Sequence, residues 1–361
     1  RARIESSTSV SQLSNELEAL RAAAARKDAA LAALNTSRAC TATADNSAFA
    51  PFKPDGKTPN GVLEEAALAR VFSAILPKDL DAAVRSVVAG EAVYAAHGIT
   101  TAQDGRVMPQ AWPGLAEAAR RGVLKLDTVV LIAFDQDLPQ PIRDRIGKPY
   151  ADRLRIAGVK FVLDGSPQGR TAWLHDPVPV PPEGKGGDYH GYPVMDQADF
   201  RRRLADAKAN GWQVFAHVNG DEASQSLIYG VRAVGLEGRR TIAIHAQVVR
   251  PEQLTAFREL DIQPSFFASH TWFWGDWHRD VSLGPKRADF ISPQASAWAA
   301  GLTPTAHNDS PVVPPDILRL VWSSVNRRTQ SGDVLGPLER ISPYRALRQV
   351  TANAAWQIHE E

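Results

Sequence analysis

Cysteine is nearly absent. The 361-residue chain holds one, Cys40, which excludes an internal disulfide and a Cys-based zinc site and leaves the redox compartment open. Net charge is nearly absent too. Lysine and arginine number 41 against 40 acidic residues, a balance of +1, and this excludes polybasic binding to nucleic acid or to a membrane surface. No apolar run reaches the roughly 18 residues that span a bilayer. No Gly-x-Gly-x-x-Gly follows the first strand-like segment, which weakens a dinucleotide fold, and no unit repeats at a fixed period. The remaining composition is that of an ordinary globular protein, 44% hydrophobic and 22% charged, and it excludes a disordered chain or a fibrous repeat. The length suits two domains of about 150 residues or one α/β barrel of about 250 residues with insertions.

The chain begins at Arg1 rather than Met, shows no basic-then-apolar leader, and ends at Glu361 in an uncapped helical pattern. We expect a piece of a longer polypeptide, with the cytoplasm as its default compartment. Residues 9–34, rich in Ala, Leu and charge at 3.6-residue spacing, predict one amphipathic helix. Residues 36–60 are aperiodic and carry the turn signals Asp55-Gly56 and Asn60-Gly61. A boundary near residue 60 therefore separates a helical and linker segment, 1–60, from a main domain, 61–361.

Within the main domain, short β-rich runs alternate with helical ones, which implies parallel strands joined by crossover helices. The predicted strands are Gly98–Gln103, Leu126–Ala133, Val159–Leu163, Gln213–Val218, Thr241–Gln247, Ile262–Phe267 and Thr303–His307. Predicted helices include Asp79–Ala96, Pro113–Arg121, Gln197–Asn210 and Pro251–Leu260. Seven strands are one short of the eight in a (β/α)8 TIM-like barrel; a doubly wound open sheet is the runner-up.

Reactive residues of a barrel enzyme sit at the C-terminal ends of its strands. Here those ends carry Lys160 with Asp164-Gly165 after it, His217 in AHVNGD, His245 in AIHAQ, His270, and His307-Asn308-Asp309. Imidazole and carboxylate suit zinc and related divalent ions, and ligands on separate strands need no tight spacing. Each residue also has a plainer reading: a lone strand histidine as a core group, Asp309 as a turn or N-cap residue. Lys160 is harder to explain away, because burying an ammonium group costs several kcal/mol unless it is paired or altered.

In chain order, GVKFVLDGSPQGRTAW, FAHVNGDEA, IAIHAQVVRPEQL and TAHNDSPVVPPD resemble the amidohydrolase superfamily, in particular its family 3 branch, which includes N-substituted formamide deformylase-like proteins. The resemblance runs from about Gly61 to the TANAA segment at 351–355, and SHTWFWGDWHRD and VNRRTQSGDVLGP also resemble that branch. It implies an α/β fold, a distorted (β/α)8 amidohydrolase barrel around one or two divalent metals, with zinc the expected ion. Carried over residue by residue, Lys160 matches a carboxylated bridging lysine, His217 and His245 match the next two strand-end ligands, and Asp309 matches an aspartate that binds metal and takes a proton from water. His270 stands where the branch often keeps a histidine near substrate; His270 or His278 would polarise the substrate carbonyl, and Asp164 would lie at the barrel mouth.

The sequence departs from that pattern in three places. The first-strand His-x-His pair is missing, and the first histidine, His97, precedes a glycine at a helix end, where a cap or packing role is expected. We expect strand one and the accessory β-sandwich to lie upstream of Arg1, which would cover both this and the missing strand. Another segment filling the gap and a paralogue that has lost catalysis are the alternatives. Ile244, not Glu, precedes His245, and His307-Asn308 stands where Gly-Ser or His-Ser is common.

Trp272, Trp274 and Trp277, with Phe266, Phe267 and Phe273, are expected in one loop. There they would either wall an apolar pocket for an aryl or alkyl amide or pack against outer helices. The Pro- and Gly-rich stretch 176–193 reads as a lid, a surface hairpin or a subunit contact, which leaves a homo-oligomer open. The leading function is metal-dependent hydrolysis of a non-peptide C–N bond in a small amide or formamide. Against it stand a non-catalytic barrel serving as a binding or regulatory module and a phosphotriesterase-like hydrolase.

Overall fold

Both faces of the strands read as apolar (TVVLIA, IAGVKFV, QVFAHV, TIAIH), the pattern of a parallel sheet covered on both sides. A computed structural model of the protein describes Pro77 and residues 79–361; the helix expected over 9–34, the linker and the boundary near 60 lie outside these residues. Seven strands form one parallel sheet in chain order: β1 (Thr101–Val107), β2 (Asp127–Ala133), β3 (Leu154–Val162), β4 (Gln213–Val218), β5 (Thr241–His245), β6 (Ile262–Phe266) and β7 (Thr305–Ala306).

The helices are α1 (Leu80–Ala96), α2 (Trp112–Arg120), α3 (Gln140–Arg143), α4 (Gln197–Ala209), α5 (Asp221–Val234), α6 (Pro251–Leu260) and α7 (His270–Trp277), which runs into a π-helical turn, His278–Ser282. They continue with α8 (Pro285–Ala288), α9 (Gln294–Ala299), α10 (Ile317–Asn326), α11 (Pro343–Gln349) and α12 (Ala352–Gln357). Among the described residues no helix is long and apolar enough to cross a membrane.

Alternation along the strands makes two cores. Val130, Ile132, Val159, Phe161, Val214, Ala216 and Ala243 face the helices and pack with Phe200, Leu204, Leu227 and Phe257. The intervening residues Val129, Leu131, Ala157, Phe215, Ile242 and Ile244 meet each other and Ile358 on the opposite face. Gly158 lies where the β2–β3 register has just shifted, and a Cβ there would overlap the Gln213 carbonyl.

The C-terminal segment shows how far the sheet curls. Gln213 at the start of β4 donates to Gln357 O (2.8 Å), Arg155 in β3 to Ile358 O (2.6 Å), and Arg240, just before β5, to Trp356 O (2.6 Å). Gln357 itself accepts from Thr305 of β7 (2.5 Å) and donates to Gln103 of β1 (3.3 Å). Both edge strands thus bond to one side chain, which requires a strongly curved sheet floored at its N-terminal end by α12 and the residues after it.

The first strand starts three residues later than expected because the helix before it closes through Gly98 in a left-handed conformation (φ 74°). Strand β3 starts five residues earlier, primed by a two-residue hairpin in which Ala151 and Leu154 exchange both backbone hydrogen bonds at 3.0 Å. The tryptophan-rich segment is not a loop: Trp272, Trp274 and Trp277 lie on α7.

Candidate metal centre

Lys160 on β3, His217 on β4 and His245 at the end of β5 gather above the concave face, and Asp309 follows β7. Strict alternation would send His245 to the helix side, since Ile242 and Ile244 occupy the concave one. The backbone prevents this: His245 has φ 73° and Ala246 φ 43°, both left-handed. The turned ring stands 4.5 Å, centroid to centroid, from His217 in a T-shaped contact. Asp309 is left-handed as well (φ 55°). Such residues cost about 1–3 kcal/mol each and cluster at functional sites.

His217 is held through one nitrogen. Its Nε2 lies 3.1 Å from Gly165 O and 3.0 Å from Asn219 Nδ2, and Asn219 Nδ2 also donates to Gly165 O at 2.8 Å. The other nitrogen, Nδ1, makes no hydrogen bond among the described residues. His245 is held through Nδ1, which lies 3.1 Å from His307 Nε2, and Ser265 Oγ is 2.9 Å from His307 Nδ1. Sequence reasoning had no signal for Asn219 and His307 as orienting partners, because neither spacing nor residue type marks a side chain that acts on a neighbouring strand.

Burial sets the protonation states. It pushes the Lys160 amine, 5% exposed, down to about 7; the Asp309 carboxylate acts in the opposite direction and Arg106 in the same one. His217 and His307 are each lowered to about 4 and His278 to about 3, chiefly by desolvation, and His245 and His270 fall well below the usual range. All five imidazoles are therefore neutral at neutral pH, the form that binds metal.

Asp164 follows the C-terminal end of β3 and has a structural task there. It is fully buried, and its carboxylate accepts from the backbone N–H groups of Asn219 (2.9 Å), Gly220 (2.7 Å) and Trp173 (3.0 Å). It clamps the β3 exit to the β4 exit and anchors a loop, with Oδ1 3.6 Å from His217 Nε2. Gly220 is required there, since a Cβ would overlap the Trp173 carbonyl.

The stretch after it is strapped down. Arg170 donates to Val180 O and Pro181 O at 3.1 Å, Arg287 donates to Asp176 O (2.9 Å) and Pro177 O (2.7 Å), and Leu174 and Val178 pack on Leu283 and Ile291.

The aromatic residues divide between the two expectations. Trp272 meets Trp322 of α10 edge-on at 5.3 Å, with Arg319 over its ring, so it packs against an outer helix. Trp277 donates to Gln168 O at 3.1 Å. Trp274 turns toward the site and contacts His270 (5.3 Å) and Phe267 (6.2 Å). His270 lies on Phe267 at 3.9 Å, and that ring also neighbours His307 at 5.6 Å. Both ring nitrogens of His270 and Nε2 of His278 are buried without a hydrogen-bond partner among the described residues.

The donor chemistry fits a divalent ion: two neutral imidazoles, each held through one nitrogen, stand beside a buried amine that is half uncharged near neutrality. Among the described residues no group of three or more His, Cys, Asp or Glu side chains is arranged to hold a metal. Of the expected ligands the structure brings together His217, His245 and the buried Lys160, while Asp309 is exposed.

A sequence model of the amidohydrolase family matches residues 16–361. YtcJ of Bacillus subtilis (strain 168), an amidohydrolase by name, is 27% identical over 226 residues, covering 60% of this chain and 40% of YtcJ. Two solved structures share the fold. An uncharacterized metal-dependent hydrolase from Pyrococcus furiosus has 24% identity and a TM-score of 0.71, covering 86% of this chain and 62% of that one. Its counterpart from Pyrococcus horikoshii OT3 has 22% identity and a TM-score of 0.72, covering 88% and 64%. The chain thus spans less than two thirds of the length of each of these relatives.

Proposed function

The chain belongs to the amidohydrolase family, and from that premise we propose that it is a metal-dependent hydrolase of a non-peptide C–N bond, acting on a small N-substituted amide or formamide. The curled sheet is read as seven strands of a (β/α)8 barrel. Lys160, as its carbamate, would hold the ion with His217 Nδ1 and His245 Nε2, and zinc suits that mixed N and O donor set. The near-neutral amine supports carbamate formation: the uncharged nitrogen attacks carbon dioxide and releases a proton, and a buried cation becomes an anion. A bound divalent ion supplies a water whose pKa is lowered toward about 7.

The protein groups do the rest. Asp309 takes a proton from the attacking water on its carboxylate and returns it to the leaving nitrogen. His270, whose ring nitrogens have no partner in the fold, donates to the substrate carbonyl as charge develops on its oxygen, and His278 backs that position. Trp274 and Phe267 exclude water from the apolar side of the substrate.

One observation carries the reading: Lys160 lies buried beside an imidazole pair whose second member reaches it only through a left-handed backbone. A scaffold has no need of either. The test is metal content per chain by mass spectrometry on protein purified without chelator, together with turnover of Asp309→Asn. One or two equivalents of metal and a folded, inactive variant are expected; full activity in Asp309→Asn would refute the assigned base. A panel of amides, esters and phosphotriesters separates this activity from phosphotriester hydrolysis. The second reading, a non-catalytic binding module, is favoured by the lack, among the described residues, of three His, Cys or acidic side chains arranged to hold a metal, and metal-free protein would support it.

A further inference from the structure

We propose that His307 is a positioning residue that fixes the tautomer of His245 and so decides which of its ring nitrogens is free to bind a metal. The inference rests on the metal reading above and adds a residue that reading does not use. Ser265 Oγ, His307 Nδ1, His307 Nε2 and His245 Nδ1 form one hydrogen-bonded chain with steps of 2.9 and 3.1 Å. The rings of His245 and His307 stand 4.9 Å apart.

A neutral imidazole carries one N–H, so the chain has two senses. In one, the Ser265 hydroxyl donates to His307 Nδ1, His307 Nε2–H donates to His245 Nδ1, and the only proton on His245 sits on Nε2, which blocks it as a ligand. In the other, His245 Nδ1–H donates to His307 Nε2 and His307 Nδ1–H donates to Ser265 Oγ. His245 Nε2 then keeps its lone pair. Both senses use the same heavy-atom positions and the same number of protons. Metal binding at His245 therefore selects the second sense without net proton release from the chain, and His307 supplies the acceptor that makes this sense available. Without His307, Nδ1–H of a buried ring would be left unpaired.

The experiment uses protein labelled with 15N-histidine; the nine histidines give a resolvable set of ring-nitrogen signals. Zinc chloride is titrated against a chromophoric chelator, and the His245 tautomer is read by NMR before and after loading. In the wild type, zinc should drive His245 to the Nδ1–H form. His307→Ala should lower zinc affinity about 10- to 100-fold, the usual cost of losing such an orienting partner, and should abolish the tautomer preference. His307→Gln, whose carboxamide oxygen can accept from His245 Nδ1–H, should restore most of both; it also serves if the alanine variant fails to fold. Ser265→Ala should alter the His307 signals while leaving His245 bonded. Wild-type zinc affinity together with an unchanged Nδ1–H form in His307→Ala overturns the proposal alone. A wild type that takes up no zinc removes the metal reading and this proposal with it.

Discussion

Replacing Lys160 with methionine should make the metal-free protein more stable, although it removes a residue of the candidate site. Burial lowers the Lys160 amine from 10.5 to about 7. The difference, 10.5 − 7, is about 3.5 pH units, and at 1.36 kcal/mol per unit it sets the penalty for the charged form at roughly 5 kcal/mol. The folded-state pKa lies below the unfolded one, so between about pH 7 and 10.5 the unfolded chain binds more protons, and stability rises with pH across that window. Below pH 7 both states are protonated and the full penalty applies. Methionine has a similar length and no charge, so Lys160→Met should gain about 3–5 kcal/mol at pH 6.5 and lose the alkaline slope. The assay is urea unfolding in carbon-dioxide-free buffer with EDTA, at pH values from 6.5 to 10, for wild type and variant. The imidazoles titrate at lower pH and cancel in the comparison. A variant that is less stable than wild type at pH 6.5, or a difference independent of pH, would refute the claim that Lys160 is a buried cation without adequate compensation.

Asp164→Asn should destabilise by about 3 kcal/mol, because an amide NH2 would confront backbone N–H donors, and it should speed limited proteolysis within 176–193. Arg327 is fully buried and donates to Ile291 O (2.7 Å), Ser292 O (3.1 Å) and Leu335 O (2.7 Å); Arg327→Met should cost about 3 kcal/mol in unfolding free energy by orphaning the Ile291 and Leu335 carbonyls, while Ser292 O keeps the Gln294 N–H at 2.8 Å. At the hairpin before β3, Asp152 (φ 52°) and Arg153 (φ 66°) are both left-handed and exposed. Arg153→Gly restores the preferred Asp-Gly turn and should raise the urea midpoint by about 0.5 kcal/mol in stability, a small net gain because the exposed ion pair with Asp127 that it removes is worth about 0–1 kcal/mol.

Residue pattern made the strands legible, since seven short apolar runs separated by helical ones have few other arrangements, and six of the seven predicted runs overlap the observed strands by at least four residues or contain them. Strand β1 slipped because Thr100 and Ile99 look like strand while Gly98 only ends a helix. The start of β3 escaped notice because a hairpin turn built from Asp152 and Arg153, without glycine, leaves no turn signature. Of the candidate site, the residue types and their order were visible, and the roles of individual side chains were not. Asp164 reads as a mouth residue because a carboxylate after a strand invites that reading, and its sequence context gives no sign of a second, structural task. Only the three backbone N–H groups converging on it identify it as an anchor. The left-handed turn at His245 was equally hidden, because alanine carries no signal for positive φ and histidine only a weak one.

These hidden features share one consequence. An amine buried without an ion pair among the described residues, buried imidazoles, and left-handed backbone at His245 and Asp309 each raise the free energy of the empty fold. A divalent ion on Lys160 carbamate, His217 and His245 would offset the first two directly and give the strained geometry its use. Metal and fold should then be linked: zinc at 100 times its dissociation constant raises stability by about 2.7 kcal/mol, and the gain should vanish in Lys160→Met while persisting in Arg153→Gly. The linkage separates a working site from a decayed one, because a decayed site has no reason to retain a lysine that is destabilising when empty. Equal thermal shifts with zinc in wild type and Lys160→Met would locate the ion elsewhere and leave Lys160 without a purpose in this fold.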